Sequence, residues 1–374
     1  MDFSLNDEQS LLKDSLERFI RSDYDFDTRR AHLRSELGYS QATYERFAEF
    51  GWTAVPFTEE DGGFGGGPVE LMLLMEQFGR GLVIEPYLAS IVMAGGALRH
   101  SGSAEQKAQW LPGLIDGSIT GALACQEPHG RFNLARVATR AQRHDGEWQL
   151  SGHKAVVLNA RDASVIIVPA RTAGEITDRD GISLFALKQG TKGVSLRSYP
   201  TVDGLQAADL MLDGVHIGAD AMIGKEGHGL AILERAIDDA TLAVCAEAVG
   251  IMAVLVDKTV EYSKSRKQFG LPIGAFQALQ HRMVEMFMEH EQTRSLLYMA
   301  AMKLAAGAED AGQGLHALKY QVGRAGRRIG QEAVQIHGGM GVTDELDVAH
   351  YFKRLTTIEL SFGNADDHLG RYAG

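Results

Sequence analysis

The sequence predicts an α+β fold in three parts: an N-terminal all-helical domain over residues 1–120, a middle antiparallel β domain over 121–225, and a C-terminal four-helix-bundle domain over 226–374. Three observations lead there. Apolar residues recur at helical spacing in the first ~120 residues, and from about Gly121 they change to alternation and short β-branched runs. After Gly229 long Ala-, Leu- and Met-rich helical stretches take over. Strands never alternate with helices, so no half of a Rossmann fold is visible. At 374 residues and 45% apolar content the chain is long enough to bury several cores.

The first helix opens at Asn6, which can cap it, with Gln9 placed to reach back in a variant of the capping box; Leu12, Leu16, Phe19 and Ile20 form its apolar stripe. Helical spacing continues over Ser40–Phe50, Val69–Gly79 and Ser103–Leu114. The run Asp61-Gly62-Gly63-Phe64-Gly65-Gly66-Gly67-Pro68 looks like a phosphate loop, but it lacks a preceding strand and a Gly-Lys-Ser/Thr ending. A structural turn is the better reading. Strands are expected over Val137–Ala141, Trp148–Ser151, Ser164–Ala170, Ile182–Lys188, Val194–Arg197 and Ala208–Leu212. Turn signals Asp145-Gly146, Asp180-Gly181, Asp203-Gly204 and Asp213-Gly214 separate them. Helices then cover Leu230–Lys264, Phe276–Gly307 and Leu315–His337.

The formal net charge of −12 argues against a broad nucleic-acid surface, which needs clustered Lys and Arg. The two cysteines, Cys125 and Cys245, are far apart and read as ordinary buried thiols of a reducing, cytoplasmic setting. The start Met1-Asp2-Phe3-Ser4-Leu5-Asn6-Asp7-Glu8 carries acids where a signal peptide needs basic residues. No segment is expected to be long and apolar enough to cross a bilayer. His281, His337, His350 and His368 form no His-x-x-x-His pair, so no metal site is expected, and no Gly-x-Ser-x-Gly elbow points to a hydrolase.

One segment is specific. Glu261 to His281, containing Arg266-Lys267-Gln268-Phe269-Gly270 and Phe276-Gln277-Ala278-Leu279-Gln280, resembles the signature of acyl-CoA dehydrogenases in residue type and spacing. A second, Gln335-Ile336-His337-Gly338-Gly339-Met340-Gly341 with Thr343, resembles the Gln-x-x-Gly-Gly-x-Gly-x-Thr stretch of the same family. A third, Ala124-Cys125-Gln126-Glu127-Pro128, is similar to its Thr-Glu-Pro stretch beside the flavin. The resemblance spans nearly the whole chain and implies FAD held at a subunit interface. It assigns Arg266, Gln268, Phe269, Phe276, Gln277, Gln280, Gln335, Ile336, Gly338, Gly339, Gln126, Glu127 and Asn364 to the cofactor. The chemistry agrees, since a guanidinium forks onto a pyrophosphate, an aromatic ring covers an aromatic surface, and glycines let a backbone approach closely.

The resemblance also implies the reaction: a carboxylate takes the α proton of an acyl-CoA thioester while a β hydride goes to the flavin, giving a trans-2-enoyl-CoA. In most members that carboxylate is a glutamate, and an ungapped comparison puts Phe362 there, able to offer only its backbone N–H. The alternative position of the family's glutamate falls on Ala240, one residue from Asp239, which is a candidate base. The family's Trp-Ile-Thr stretch over the flavin becomes Val156-Val157-Leu158. Within the family the chain most resembles small subunits of pimeloyl-CoA dehydrogenases. Four readings stay open: one subunit of a heteromer with a larger homologous chain; a self-sufficient homo-oligomer whose base is Asp239 or another acid contributed through a shifted helix; a flavin oxidase or monooxygenase; and a non-catalytic partner supporting FAD binding elsewhere. The resemblance implies an acyl-CoA as partner, with a dicarboxylyl-CoA as the class the pimeloyl-CoA likeness points to, and an electron-transfer flavoprotein as acceptor.

Overall fold

The computed structural model describes residues 4–374; residues 1–3, at the head of the acidic N-terminal segment, lie outside the described residues. The chain divides into two compact units. One contains the segment ending at Ala31 with Gly67–Val83 and Thr241–Gly374; the other contains His32–Gly66 and Ile84–Ala240.

In chain order the helices are α1 (Asp7–Asp23), α2 (Phe26–Leu33), α3 (Gln41–Glu49), α4 (Pro68–Gly81), α5 (Gly96–Ser101), α6 (Ala104–Ile115), α7 (Gly229–Ser265), α8 (Gln277–Ala305), α9 (Ala311–His337), α10 (Asp347–Leu360) and α11 (Ala365–Ala373). A π-helical stretch, Leu88–Gly95, runs directly into α5. The capping box expected at Asn6 and Gln9 is formed in both directions. In the first unit α8 and α10 pack on α9, and α4 lies against α1 and α8. Helices α4 and α7 touch backbone to backbone: a methyl added at Gly79 would collide with the Glu247 carbonyl, and one at Gly250 with the Glu76 carbonyl. A buried bidentate pair, Arg354 with Glu247 at 2.6 and 2.7 Å, ties α10 to α7.

The second unit holds the sheet: β1 (Gly121–Leu123), β2 (Arg140–His144), β3 (Glu147–Leu158), β4 (Val165–Arg171), β5 (Ile182–Lys188), β6 (Val194–Pro200), β7 (Gln206–Ile217) and β8 (Met222–Ile223), in the order β6-β7-β3-β2-β4-β5-β8 with β1 on β4. It is antiparallel except where β1 and one residue of β2 run parallel to β4. Trp148, Leu150, Ile166, Phe185 and Leu210 fill its core. Asp145-Gly146, with φ of 51° and 85°, makes the expected tight hairpin between β2 and β3.

Several expectations are corrected. Val137–Thr139 is not strand; the Ala138 and Thr139 amides go to Glu127 instead of a ladder. Asp213-Gly214 is not a turn between strands but sits inside β7, the long partner of β3. Helix α7 does carry a window apolar enough to cross a bilayer, of mean hydropathy 1.9, but 89% of that window is buried inside the protein. The glycine run behaves as a turn: the amides of Gly63, Phe64, Gly65 and Gly66 donate to Thr58, Ala54, Phe57 and Val55 carbonyls, leaving none of these four for a phosphate.

Candidate functional site

In the first unit the chain leaves α7 at Ser265 and folds a two-stranded ribbon, β9 (Lys267–Gln268) and β10 (Leu271–Pro272), before entering α8. Its turn residues, Phe269 and Gly270, both have positive φ, 53° and 81°. An aromatic residue takes that left-handed conformation only at a cost. The turn leaves the Phe269 ring 91% exposed, edge-on to Phe276 at 6.1 Å. Opposite, α9 ends at His337, and Gly338 turns the chain with φ 63°.

These two ends enclose an open cleft of about 640 Å³. Of the expected cofactor residues, Arg266, Gln268, Phe269, Phe276, Gln335, Ile336, Gly338 and Gly339 line it. Tyr262, Ile273, Leu279, Arg282, His337 and Met340 line it too, and none of these six had been expected. Gln277 and Gln280 are exposed on the first turn of α8 beside it, with the Gln280 amide donating to the Gly274 carbonyl at 2.8 Å. Asn364 is elsewhere, capping α11 by accepting from the Asp367 N–H at 2.9 Å.

The cleft's electrostatics are simple. Arg282 is held by Glu332, whereas the Arg266 guanidinium has no side-chain partner among the described residues. His337 stacks on Tyr262 at 4.3 Å, hydrogen-bonds the Ala333 carbonyl, and is pushed down by burial, so it stays neutral. A methyl added at Gly338 or Gly339 would meet nothing within 4 Å, so their backbone is open to a guest. An uncommitted guanidinium, an exposed ring and bare glycine backbone suit a dinucleotide's pyrophosphate and aromatic system. No single signal in the sequence marks Tyr262 and His337; their stacking requires the ends of α7 and α9 to meet in space.

Beyond this cleft, α10 ends and the chain turns through Ser361-Phe362-Gly363 into α11. Phe362 has φ 59°, and among the described residues its N–H makes no hydrogen bond. Its carbonyl accepts from His368 Nε2 at 3.1 Å, and the next carbonyl, of Gly363, accepts from buried Lys319 Nζ at 2.7 Å. Lys319 also donates to the Glu359 carbonyl at 3.2 Å, and burial pushes its pKa down. The phenylalanine side chain supplies no proton acceptor.

In the second unit Asp239 is a member of α7: its carboxylate accepts from Arg99 at 2.7 Å and meets His100 Nε2 at 3.0 Å. That carboxylate is committed to two partners from α5. Ala240 beside it is fully buried. Glu127 is committed as well, accepting from Lys154 Nζ at 2.6 Å and from the Ala138 and Thr139 amides. Burial would raise its pKa, but Lys154 and these amides outweigh burial and hold it below the usual range. Gln126 keeps a half-buried side chain, its carbonyl accepting from the Ala155 N–H. Burial pushes the Cys125 thiol up to about 11, which keeps it unreactive at neutral pH. Where the family's aromatic wall is expected, β3 bulges between Lys154 and Val157, and Val156 sits at φ 52°, 45% exposed, with its N–H toward Asp209 at 3.4 Å. A β-branched residue rarely adopts that conformation.

Among the described residues no group of three or more His, Cys, Asp or Glu could hold a metal ion. The chain matches the acyl-CoA dehydrogenase N-terminal domain over residues 6–118, the middle domain over 122–215 and the C-terminal domain over 227–373. It is 30% identical to the short-chain specific acyl-CoA dehydrogenase of Megasphaera elsdenii, across 99% of this chain and 98% of that one. Its structure superposes on an FAD complex of PigA with a TM-score of 0.92 at 27% identity, covering 100% and 98% of the two chains. It superposes on a chain of the ChsE4–ChsE5 complex from Mycobacterium tuberculosis with a TM-score of 0.90 at 25% identity and the same coverage. The protein belongs to the acyl-CoA dehydrogenase family.

Proposed function

We propose that this chain is the small subunit of a heteromeric, FAD-dependent acyl-CoA dehydrogenase whose larger homologous subunit supplies the base. The pair would convert an acyl-CoA to its trans-2-enoyl-CoA and pass electrons to an electron-transfer flavoprotein. FAD, when bound, supplies the hydride acceptor. Arg266 would neutralise its pyrophosphate, Phe269 and Phe276 would cover an aromatic face, and the Gly338-Gly339 backbone would lie against the dinucleotide. The observation that carries the reading is a contrast within one unit: an open cleft with all these groups uncommitted, and a phenylalanine where the family keeps its carboxylate. The ion pairing of Asp239 supports a base from another chain rather than a self-sufficient homo-oligomer. That the ChsE4–ChsE5 relative is a complex of two differently named chains is a precedent for such pairing. A dicarboxylyl-CoA such as pimeloyl-CoA is the substrate class favoured by the resemblance to pimeloyl-CoA dehydrogenase subunits.

The test is co-expression with the larger homologous subunit, followed by an acyl-CoA oxidation assay on the complex and on this chain alone. Oxidation by the complex with none by the isolated chain supports the proposal. Full activity of the isolated chain, with stoichiometric FAD, rejects it.

A further inference from the structure

The glycine backbone that walls the cleft has nothing packed on it. A methyl added at Gly338 or Gly339 would meet no atom within 4 Å, and both glycines, Met340 and Val342 are exposed. Glycine backbone has many conformations open to it, so the shape of this stretch must be imposed from its two ends. At the near end His337 Nδ1–H donates to the Ala333 carbonyl. At the far end the Thr343 N–H and hydroxyl donate to the Met340 carbonyl at 3.3 and 3.1 Å, and the next residue, Asp344, is stapled to α10. His350 Nε2 lies 3.3 Å from the Asp344 carbonyl, and Lys353 Nζ lies 3.2 Å from its carboxylate.

The staple works in one tautomer only. A guanidinium can only donate, so His350 Nδ1, 3.3 Å from Arg29 Nη1, is the bare nitrogen. The single proton of the neutral ring therefore sits on Nε2, where it faces the Asp344 carbonyl. Arg29 is itself fixed: it is 2% exposed, and its Nε donates to the Leu82 carbonyl at 2.9 Å. The Phe26 ring stands edge-on to the imidazole at 5.0 Å. Burial, joined by the charges of Arg29 and Lys353, pushes the His350 pKa down and keeps the ring neutral. Without Arg29 the proton is free to move to Nδ1, which would leave a bare Nε2 lone pair against the carbonyl oxygen.

We propose that Arg29 and His350 are positioning residues for FAD: Arg29 sets the imidazole tautomer, and the imidazole staples Asp344 so that the Gly338-Gly339 backbone keeps the shape the dinucleotide meets. The inference rests on the reading of the cleft as the FAD site.

Two readouts separate the staple from that reading. Amide hydrogen exchange is followed on the full chain without FAD, and FAD affinity is measured by fluorescence titration of the complex with the larger homologous subunit. His350→Leu should speed exchange across residues 338–346 about tenfold while α9 keeps its protection, and FAD should bind about tenfold more weakly, the loss expected for one hydrogen bond. His350→Gln should restore both, because its side-chain oxygen can accept from Arg29 while its amide donates to Asp344. In wild type the ¹⁵N resonances of the His350 ring should show a protonated Nε2 and a bare Nδ1; in Arg29→Met they should show the two tautomers mixed. The His350 variants keep the test open if Arg29→Met does not fold. Unchanged exchange or unchanged FAD affinity in folded His350→Leu overturns the proposal, as does a His350→Gln that behaves like His350→Leu or a wild-type ring protonated on Nδ1. Each of these results, with FAD bound by wild type, leaves the cleft reading standing. A wild-type complex that takes up no FAD overturns both.

Discussion

The cleft around Arg266 and the turn at Phe362 belong to one compact unit, yet they differ in what they keep. In the cleft the side chains are present and uncommitted: among the described residues Arg266 has no side-chain partner, Phe269 stands in solvent, and Gly338 and Gly339 face open space. At the turn the backbone framework is held and the side chain it carries is apolar. His368 and Lys319 grip two successive backbone carbonyls, but the residue they present is a phenylalanine. The cleft thus keeps its side chains uncommitted, while the turn keeps a fixed backbone around a side chain that cannot accept a proton. Backbone geometry is protected because its supports are buried, and unpairing a buried carbonyl costs stability whether or not the protein is an enzyme.

Four measurements sharpen or break this contrast. The largest effect is expected from Phe362→Glu. If the turn still presents its residue correctly, a carboxylate there restores a general base, worth about 10²–10⁴-fold in rate. Acyl-CoA oxidation by the complex whose larger subunit has lost its own base should rise by that order, and no rise would mean the turn is not held as described. Next is Arg266→Ala, which removes the cleft's uncommitted guanidinium. FAD affinity should fall by roughly 100-fold, the loss of a charge-assisted bidentate contact, with the melting temperature unchanged. Fluorescence titration of FAD checks the first part and calorimetry the second.

The third concerns pH. His368 is held near 3 by burial when folded and returns to the ordinary imidazole value of about 6.5 when unfolded. Between those values the unfolded chain binds the extra proton, so stability falls as pH drops below about 6.5, by up to ~1.4 kcal/mol per pH unit for this group. Above 6.5 the group is neutral in both states and contributes no slope. His368→Gln should flatten the dependence measured by urea unfolding. His337, at the cleft and also pushed down by burial, should contribute in the same direction. The smallest effect is at the β3 bulge. Val156→Gly relieves a left-handed β-branched residue and removes little packing, because Val156 is 45% exposed. It should stabilise the protein by ~1 kcal/mol, and destabilisation would show that the valine side chain packs more than its exposure implies.

Much of this was legible in the sequence. The long helices, the change of period at Gly121 and the cap at Asn6 are local signals, and the structure realises them. Short elements were missed: α2, α10 and α11 carry apolar stripes too brief or too interrupted to stand out. The ribbon at Lys267–Pro272 was hidden because its turn puts Phe269 at positive φ, against its local preference. At the site, motif residues near one another in sequence were readable. Partners brought together from distant segments were not. Neither the Tyr262–His337 stack nor the His368–Phe362 contact has any signature before the helices meet. The commitments of Asp239 and Glu127 were equally invisible, since Arg99 and Lys154 lie far away in the sequence.

The central claim is that this chain lends half a flavin site to a partner that carries the base. The most direct measurement is the number of FAD molecules per heteromeric pair in the complex with the larger homologous subunit, for wild type and for Arg266→Ala in this chain alone. One FAD per pair, lost in the variant, is the predicted result. One FAD on every chain, or flavin content untouched by Arg266→Ala, would contradict it.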